Sequence, residues 1–223
     1  MTVQELPDTA MLSSFEIERA GKLKVQRRRQ QFVCGRALLR TLLQHHSGEP
    51  AATHHLTTSD TGKPVCVGGP AVSIAHSGDL ILCAVTDQGD IGVDIEQICQ
   101  RKNLQAISSR YFDPDEVTWL TTQPEDRFYM LWVLKEAWLK ARGTGIAGGL
   151  DQLCCLVTPP DIDARINDDH LPALSLYALG DMLIGIASSS TSHDDLEFYR
   201  WDPLSGQLQP HNEPSLVATT RKT

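Results

Sequence analysis

Two carboxylates spaced two residues apart, Asp94 and Glu96 in the run GDIGVDIEQI, are the first residues in this chain whose pattern points to chemistry. On an extended strand the side chains alternate, so both acids leave one face while Ile91, Val93 and Ile95 fill the other. Carboxylates held this way repel unless a cation compensates them. An all-oxygen set suits magnesium, which keeps several waters and takes phosphate oxygens from a substrate. For the pair alone, an acidic strand facing solvent is the simpler alternative. A second constellation lies in WVLKEAWLKARGTG, where Trp132, Glu136 and Lys140 recur at i, i+4 and i+8 and share one helical face. Lys135 falls about 100° round the same helix. Glu136 and Lys140 by themselves would read as a surface ion pair worth about 0.3 to 0.5 kcal/mol. Trp132 on the same stripe implies that this face is at least partly covered. GKP at Gly62 to Pro64 and SIAHS at Ser73 to Ser77 add a basic loop and a histidine, His76, of a kind that is more often structural than catalytic.

Two patterns invite chemistry that their context does not support. Gly143, Gly145 and Gly148 spell GxGxxG, but they follow a helical pattern, whereas a dinucleotide fingerprint needs a strand, then the glycines, then a helix. His45, His46, His54 and His55 lack the cysteine or acid spacing of a zinc site and read as a polar loop.

The elements that must position these groups follow from periodicity. Apolar residues at Phe32, Val33, Leu38, Leu39, Leu42 and Leu43 predict a helix with one buried face. Its leading part is basic: Arg19, Lys22, Lys24, Arg27, Arg28, Arg29, Arg36 and Arg40 come with no acid among them, a local anion-binding candidate as well as a solvated face. Glycine- and proline-rich TGKPVCVGGP predicts turns. Residues 71–74 and 80–85 predict a hairpin and 91–95 a further strand. Pro124 to Arg142 predicts a helix stopped by Gly143. The stretch from about residue 205 is polar and expected to be poorly ordered.

The 223 residues carry 41% apolar and 22% charged side chains, an ordinary soluble globular balance. The net charge of −8 disfavours a general nucleic-acid binder. Apolar runs are too short to span a bilayer. The opening MTVQELPDTAML carries no secretory pattern, and six cysteines without a CxxC pair fit a reducing compartment, so the expected location is cytoplasmic.

One internal repeat organises the chain. AVSIAHSGDLILCAV, from Ala71, aligns without gaps on ALSLYALGDMLIGIA, from Ala173. This predicts an α/β (α+β) fold of two similar subdomains, residues 1–107 and 108–223, facing each other across a cleft. Ala178 stands where the first copy has His76, so one active site is expected at the junction.

In order along the chain, ERAGKLK (Glu18 to Lys24), FVCGRALLR (Phe32 to Arg40), TGKP (Thr61 to Pro64), SIAHS, IGVDIE (Ile91 to Glu96), YFDPDE (Tyr111 to Glu116) and WVLKEAWLKARGTG resemble the 4′-phosphopantetheinyl transferase superfamily, in its long, duplicated, surfactin-type class. The resemblance implies that family's pseudo-twofold fold. It also implies transfer of the phosphopantetheine arm of coenzyme A to a serine of an apo acyl or peptidyl carrier protein, with release of 3′,5′-ADP, by a magnesium-dependent monomer. Asp94, Glu96 and Glu136 match the metal ligands, Lys140 the lysine on the pyrophosphate and His76 the histidine on the coenzyme phosphates. Arg19 and Lys22 match basic residues near the 3′-phosphate, Arg36 lies in the matching helix, and Gly62, Lys63 and Pro64 match the loop beside the adenine. Glu136 and Glu116 are both carried over as acids that could take the serine proton. The family often reads Asn, an aliphatic residue, Ser, His before its histidine; here Ser73, Ile74 and Ala75 stand there, so a hydroxyl just before His76 is missing.

Two other readings share part of this pattern. A non-catalytic relative that binds coenzyme A or a carrier would not need the intact acids and Lys140. A magnesium-dependent nucleotide phosphohydrolase would use the carboxylates but leaves the KEAxxK and GKP blocks unexplained.

Overall fold

The structure, a computed structural model, describes residues 9–100, 102–145, 149–166, 172–189, 193–212 and 214–220. Helix α1 (Ser14–Lys22) starts at a capping box, in which Ser13 and Glu16 satisfy each other's backbone amides. It leads into the long α2 (Gln26–Ser47), which ends at Gly48 in the left-handed region (φ 73°). A short hairpin, β1 (Leu56–Thr58) and β2 (Pro64–Cys66), precedes a longer one, β3 (Ala71–Ser77) and β4 (Leu80–Thr86), and then β5 (Ile91–Gln97). Helices α3 (Leu104–Tyr111), α4 (Pro114–Leu120) and α5 (Asp126–Arg142) follow. The chain continues through β6 (Leu153–Thr158), β7 (Asp161–Ile166), β8 (Ala173–Leu179), β9 (Met182–Ser188), β10 (Tyr199–Asp202), β11 (Gln207–Pro210) and β12 (Ser215–Thr220).

The repeat reappears as structure. β3–β4 and β8–β9 have matching bounds at the same offset, and each turns at a glycine with φ 59°, Gly78 and Gly180. That positive φ at the first of two turn residues suits a right-twisting two-residue hairpin. The halves are interleaved, however. β5 is hydrogen-bonded to β9, at the edge of a six-stranded sheet ordered β5-β9-β8-β12-β7-β6. The expected division after residue 107 therefore leaves in the first half a strand that pairs with the second. β3 runs along the other side of β5 without a regular ladder, and the Ser73 and Ser77 hydroxyls accept hydrogen bonds from the β5 amides of Val93 and Gln97 instead.

The stretch expected to be poorly ordered is corrected by the structure. Residues 215–220 form β12, antiparallel to β8 and parallel to β7, with Ala218 fully buried. Its polarity misleads because threonines do the pairing: Thr219 donates to the Leu174 carbonyl and Thr220 accepts from the Leu174 amide. Likewise the predicted turn region TGKPVCVGGP contains β2.

Two apolar layers flank β5. On one side α5, apolar almost all round, packs Leu131, Leu134, Ala137 and Trp138 with Leu153, Leu174, Leu176 and Leu183. On the other, Val93 and Ile95 meet Ala75, Tyr177, Ile184 and Ile186 between the two hairpins. No helix among the described residues is long and apolar enough to cross a membrane.

Candidate functional site

The site begins with glycines that let a helix lie directly on a sheet. A Cβ at Gly92 of β5 would stand 1.9 Å from the Ala137 carbonyl oxygen and 2.3 Å from the Ala141 amide; at Gly185 of β9 it would stand 2.3 Å from the Val133 oxygen. Gly185 is the cross-strand partner of Asp94. Val133, Ala137 and Ala141, one turn apart on α5, therefore rest on bare backbone. This close approach brings the next stripe of α5 against the acid-bearing face of β5.

There the Lys140 ammonium donates to Asp94 Oδ1 at 2.6 Å. Asp94 Oδ2 and Glu136 Oε1 are shielded from solvent and have no hydrogen-bond partner. Burial raises the Asp94 carboxyl to about 6, with Glu96 adding to the rise and Lys140 opposing it. Burial and then the charge of Asp94 raise Glu136 to about 7. Ser77 donates to Glu96 Oε2 at 3.0 Å, fixing that side chain from β3. His76, one residue earlier on β3, is solvent-exposed at its edge; partial desolvation and the neighbouring Lys140 ammonium lower its pKa, while Glu96 opposes them. The structure thus brings His76, Asp94, Glu96, Glu136 and Lys140 into one electrostatic neighbourhood.

Magnesium, which the family resemblance implies, fits this arrangement. Two shielded, unpartnered carboxylate oxygens, on acids near enough for the Asp94 charge to raise Glu136, suit a hard cation. Among the described residues no group of three or more His, Cys, Asp or Glu side chains is gathered into a metal cage.

A second group is basic. The Arg19 and Arg36 guanidinium groups both donate to the Thr58 hydroxyl of β1 and both lie over the Phe32 ring, 5.6 and 5.4 Å from its centroid. Buried Glu16 accepts from Arg40 at 2.8 Å and lies 3.9 Å from Arg36. Two guanidinium groups, Arg36 and Arg40, share the Glu16 carboxylate, and Arg19 adds a third cation at the Thr58 hydroxyl, an excess of positive charge that favours an anion. Lys22 instead pairs with Glu18 on the exposed side of α1, at 2.6 Å.

Between the two groups lies the β1–β2 turn. Gly62 has φ 93°, a value side chains rarely adopt, and Pro64 opens β2 opposite Thr58. The Lys63 ammonium donates to the Ala141 carbonyl at 2.6 Å, so it is engaged by α5. Gly143, whose left-handed φ of 70° ends α5, is the helix stop expected of it. Gly148 of the same glycine pattern lies outside the described residues.

Glu116 is corrected. It is wholly buried and accepts from the amides of Cys155 and Asp113 at 2.8 and 2.9 Å, while its ion pair with Lys135 closes at 2.7 Å. Lys135 also donates to the Leu150 and Leu153 carbonyls. With its oxygens so occupied and no exposure, Glu116 holds α4, α5 and β6 together and is not presented to a substrate. Residue spacing alone misses Thr58, Ser77, Gly92 and Gly185. The two glycines did carry a signal, since glycine within a strand marks a close backbone approach.

Comparison with known proteins gives the same answer along most of the chain. Residues 18–86 match the family model described as the 4′-phosphopantetheinyl transferase N-terminal domain, and residues 90–187 match that of the 4′-phosphopantetheinyl transferase superfamily. The chain is 32% identical over 179 residues to the 4′-phosphopantetheinyl transferase HetI of a Nostoc species, covering 76% of this chain and 74% of that one. It is 34% identical over 149 residues to the 4′-phosphopantetheinyl transferase psf-1 of Bacillus pumilus, covering 64% and 58%. With the 4′-phosphopantetheinyl transferase Sfp of Bacillus subtilis it shares 28% identity over 145 residues, covering 62% and 63%. The chain thus spans about three fifths of the Bacillus relatives. Both family models fall on the segments that build the acidic and basic groups, and the chain belongs to the 4′-phosphopantetheinyl transferase superfamily.

Proposed function

We propose that this protein transfers the phosphopantetheine arm of coenzyme A to a serine hydroxyl of an apo acyl or peptidyl carrier protein. The serine oxygen bonds to the phosphorus that carries the pantetheine arm, the bond from that phosphorus to the bridging oxygen breaks, and 3′,5′-ADP leaves. The observation that carries this reading is the pair of shielded, unpartnered oxygens of Asp94 and Glu136 beside Lys140.

Phosphoryl transfer asks a protein mainly for positioning and charge neutralisation. Arg19 and Arg36 offer the anion-binding end, and Lys140 and His76 face the pyrophosphate. Asp94, Glu96 and Glu136 would hold magnesium, which when bound supplies charge neutralisation to the pyrophosphate and its leaving oxygen. Glu136 is the carboxylate we assign to receive the serine proton, directly or through water. One chain supplies both groups, so a monomer suffices. None of the six cysteines is in a disulfide, which fits a cytoplasmic setting.

The test incubates the protein with coenzyme A, magnesium and several apo carriers, then weighs each carrier intact by mass spectrometry. A gain of one phosphopantetheine that EDTA abolishes is expected. Near-normal transfer by Asp94→Asn or Glu136→Gln would overturn the assignment. Coenzyme A binding without transfer would favour the non-catalytic reading, and release of product without a carrier would favour the hydrolase.

A further inference from the structure

The turn that resemblance assigns to the coenzyme sends its lysine elsewhere. Lys63 Nζ donates to the Ala141 carbonyl at 2.6 Å, and the Thr61 hydroxyl donates to the Gly143 carbonyl at 2.6 Å. Both acceptors belong to the C-terminal end of α5, where carbonyls lack helical partners and the helix dipole is negative. The turn itself is braced: Ser59 accepts from the Lys63 amide at 3.1 Å and bonds the Thr61 hydroxyl at 2.9 Å, and the Ser59 amide donates to the Lys63 carbonyl at 2.9 Å. The fit is close, since a Cβ at Gly143 would stand 3.2 Å from Lys63 Cδ. Lys63 is also desolvated, which lowers its pKa and makes the carbonyl bond matter more.

The turn of α5 gripped in this way is the one that carries Lys140. Its inner side rests on Gly92, through the Ala141 amide, and Lys140 reaches from it to Asp94. The β1–β2 turn and β5 therefore hold the last turn of α5 from two sides. We infer that Lys63 is a positioning residue, a cationic clamp with Thr61 that fixes the C-terminal turn of α5 so that Lys140 stays aligned with Asp94 and Glu136. This inference rests on the transfer reading above for its kinetic consequence, while the clamp itself has a readout that does not.

Misplacing a catalytic group by about 1 Å can cost on the order of a hundredfold in rate. Loss of one of two clamps should displace Lys140 less than that. Lys63→Met is expected to lower kcat about tenfold while KM for coenzyme A stays within about twofold, and Lys63→Arg, which keeps a cation for the same carbonyl, to recover most of the loss. Thr61→Val should give a smaller fall in kcat of the same kind. Amide hydrogen exchange in the last turn of α5 should quicken in Lys63→Met and in Thr61→Val, relative to wild type, with the rest of α5 unchanged. Unchanged exchange there would overturn the clamp whatever the activity. An intact kcat with a raised KM for coenzyme A would overturn it too, by making Lys63 a direct coenzyme contact. If wild type transfers nothing to any carrier, the transfer reading fails on its own and the exchange result still decides the clamp.

Discussion

Gly92→Ala is a one-carbon change whose effect can be worked from the backbone. The added Cβ would lie 1.9 Å from the Ala137 oxygen, where an ordinary contact begins at 3.4 Å. Helix and strand must separate by about 1.5 Å along that direction, because both clashing groups are main chain and neither can rotate away. The Lys140 to Asp94 bond, 2.6 Å in the native site, would open to about 4 Å, beyond hydrogen bonding. Overpacking of this kind costs about 1 to 3 kcal/mol and sometimes more, so the melting temperature should fall by about 3 to 10 °C for a domain of this size. Turnover should fall by about a hundredfold if the chemistry depends on this alignment. The assay is carrier mass gain under single-turnover conditions at a temperature well below the variant's melt. Wild-type turnover with a normal melt would refute the claim that Gly92 sets the distance between α5 and β5.

The raised carboxyls predict a pH signature in the protein freed of divalent metal. Asp94 at about 6 and Glu136 at about 7 sit above their ordinary 3.8 and 4.5, so between about pH 4 and 7 the native state holds protons that the unfolded chain releases. Stability from these groups is therefore present at the acid end of that window and lost as pH rises through it. Melts in EDTA at about pH 5.5 and 7.5 should show this slope, and Glu136→Gln should flatten it; equal slopes in both proteins would contradict the assignment. Glu116→Gln leaves Lys135 buried without its anion, a loss of about 3 to 5 kcal/mol by chemical denaturation, and a change under about 1 kcal/mol would mean that the pair is not structural. Thr58→Val removes the hydroxyl shared by Arg19 and Arg36, and KM for coenzyme A should rise about threefold to tenfold. An unchanged KM would separate that hydroxyl from substrate binding.

Much of this was legible in the residues because local rules and the fold agree. The two hairpins follow from fifteen aligned residues and their Gly-Asp turns, and the alternation in GVDIE correctly put Asp94 and Glu96 on one face with apolar residues behind. The helix stop at Gly143 followed from its lack of a side chain. What escaped depends on pairings distant in sequence. Nothing near Glu116 announces that Lys135 and the Cys155 amide will saturate it. Lys63 looks like any loop lysine until Ala141, seventy-eight residues on, arrives beside it. β12 escaped because Val217 and Ala218, adjacent at a register shift, both pack inward beside threonine hydroxyls, which leaves no apolar alternation to detect.

The place of β12 in the sheet also bears on how the protein is made. β8 and β7, its two neighbours, are separated by a strand that follows both in sequence, so as the chain leaves the ribosome the sheet exists first as two fragments, β5-β9-β8 and β7-β6. The fragment with β5 and β9, together with α5, already contains Asp94, Glu96, Glu136 and Lys140. The arrangement of these four side chains thus needs no residue of β12. Until residues 215–220 emerge, β8 and β7 present open edges, the state in which a growing chain most needs protection from mispairing.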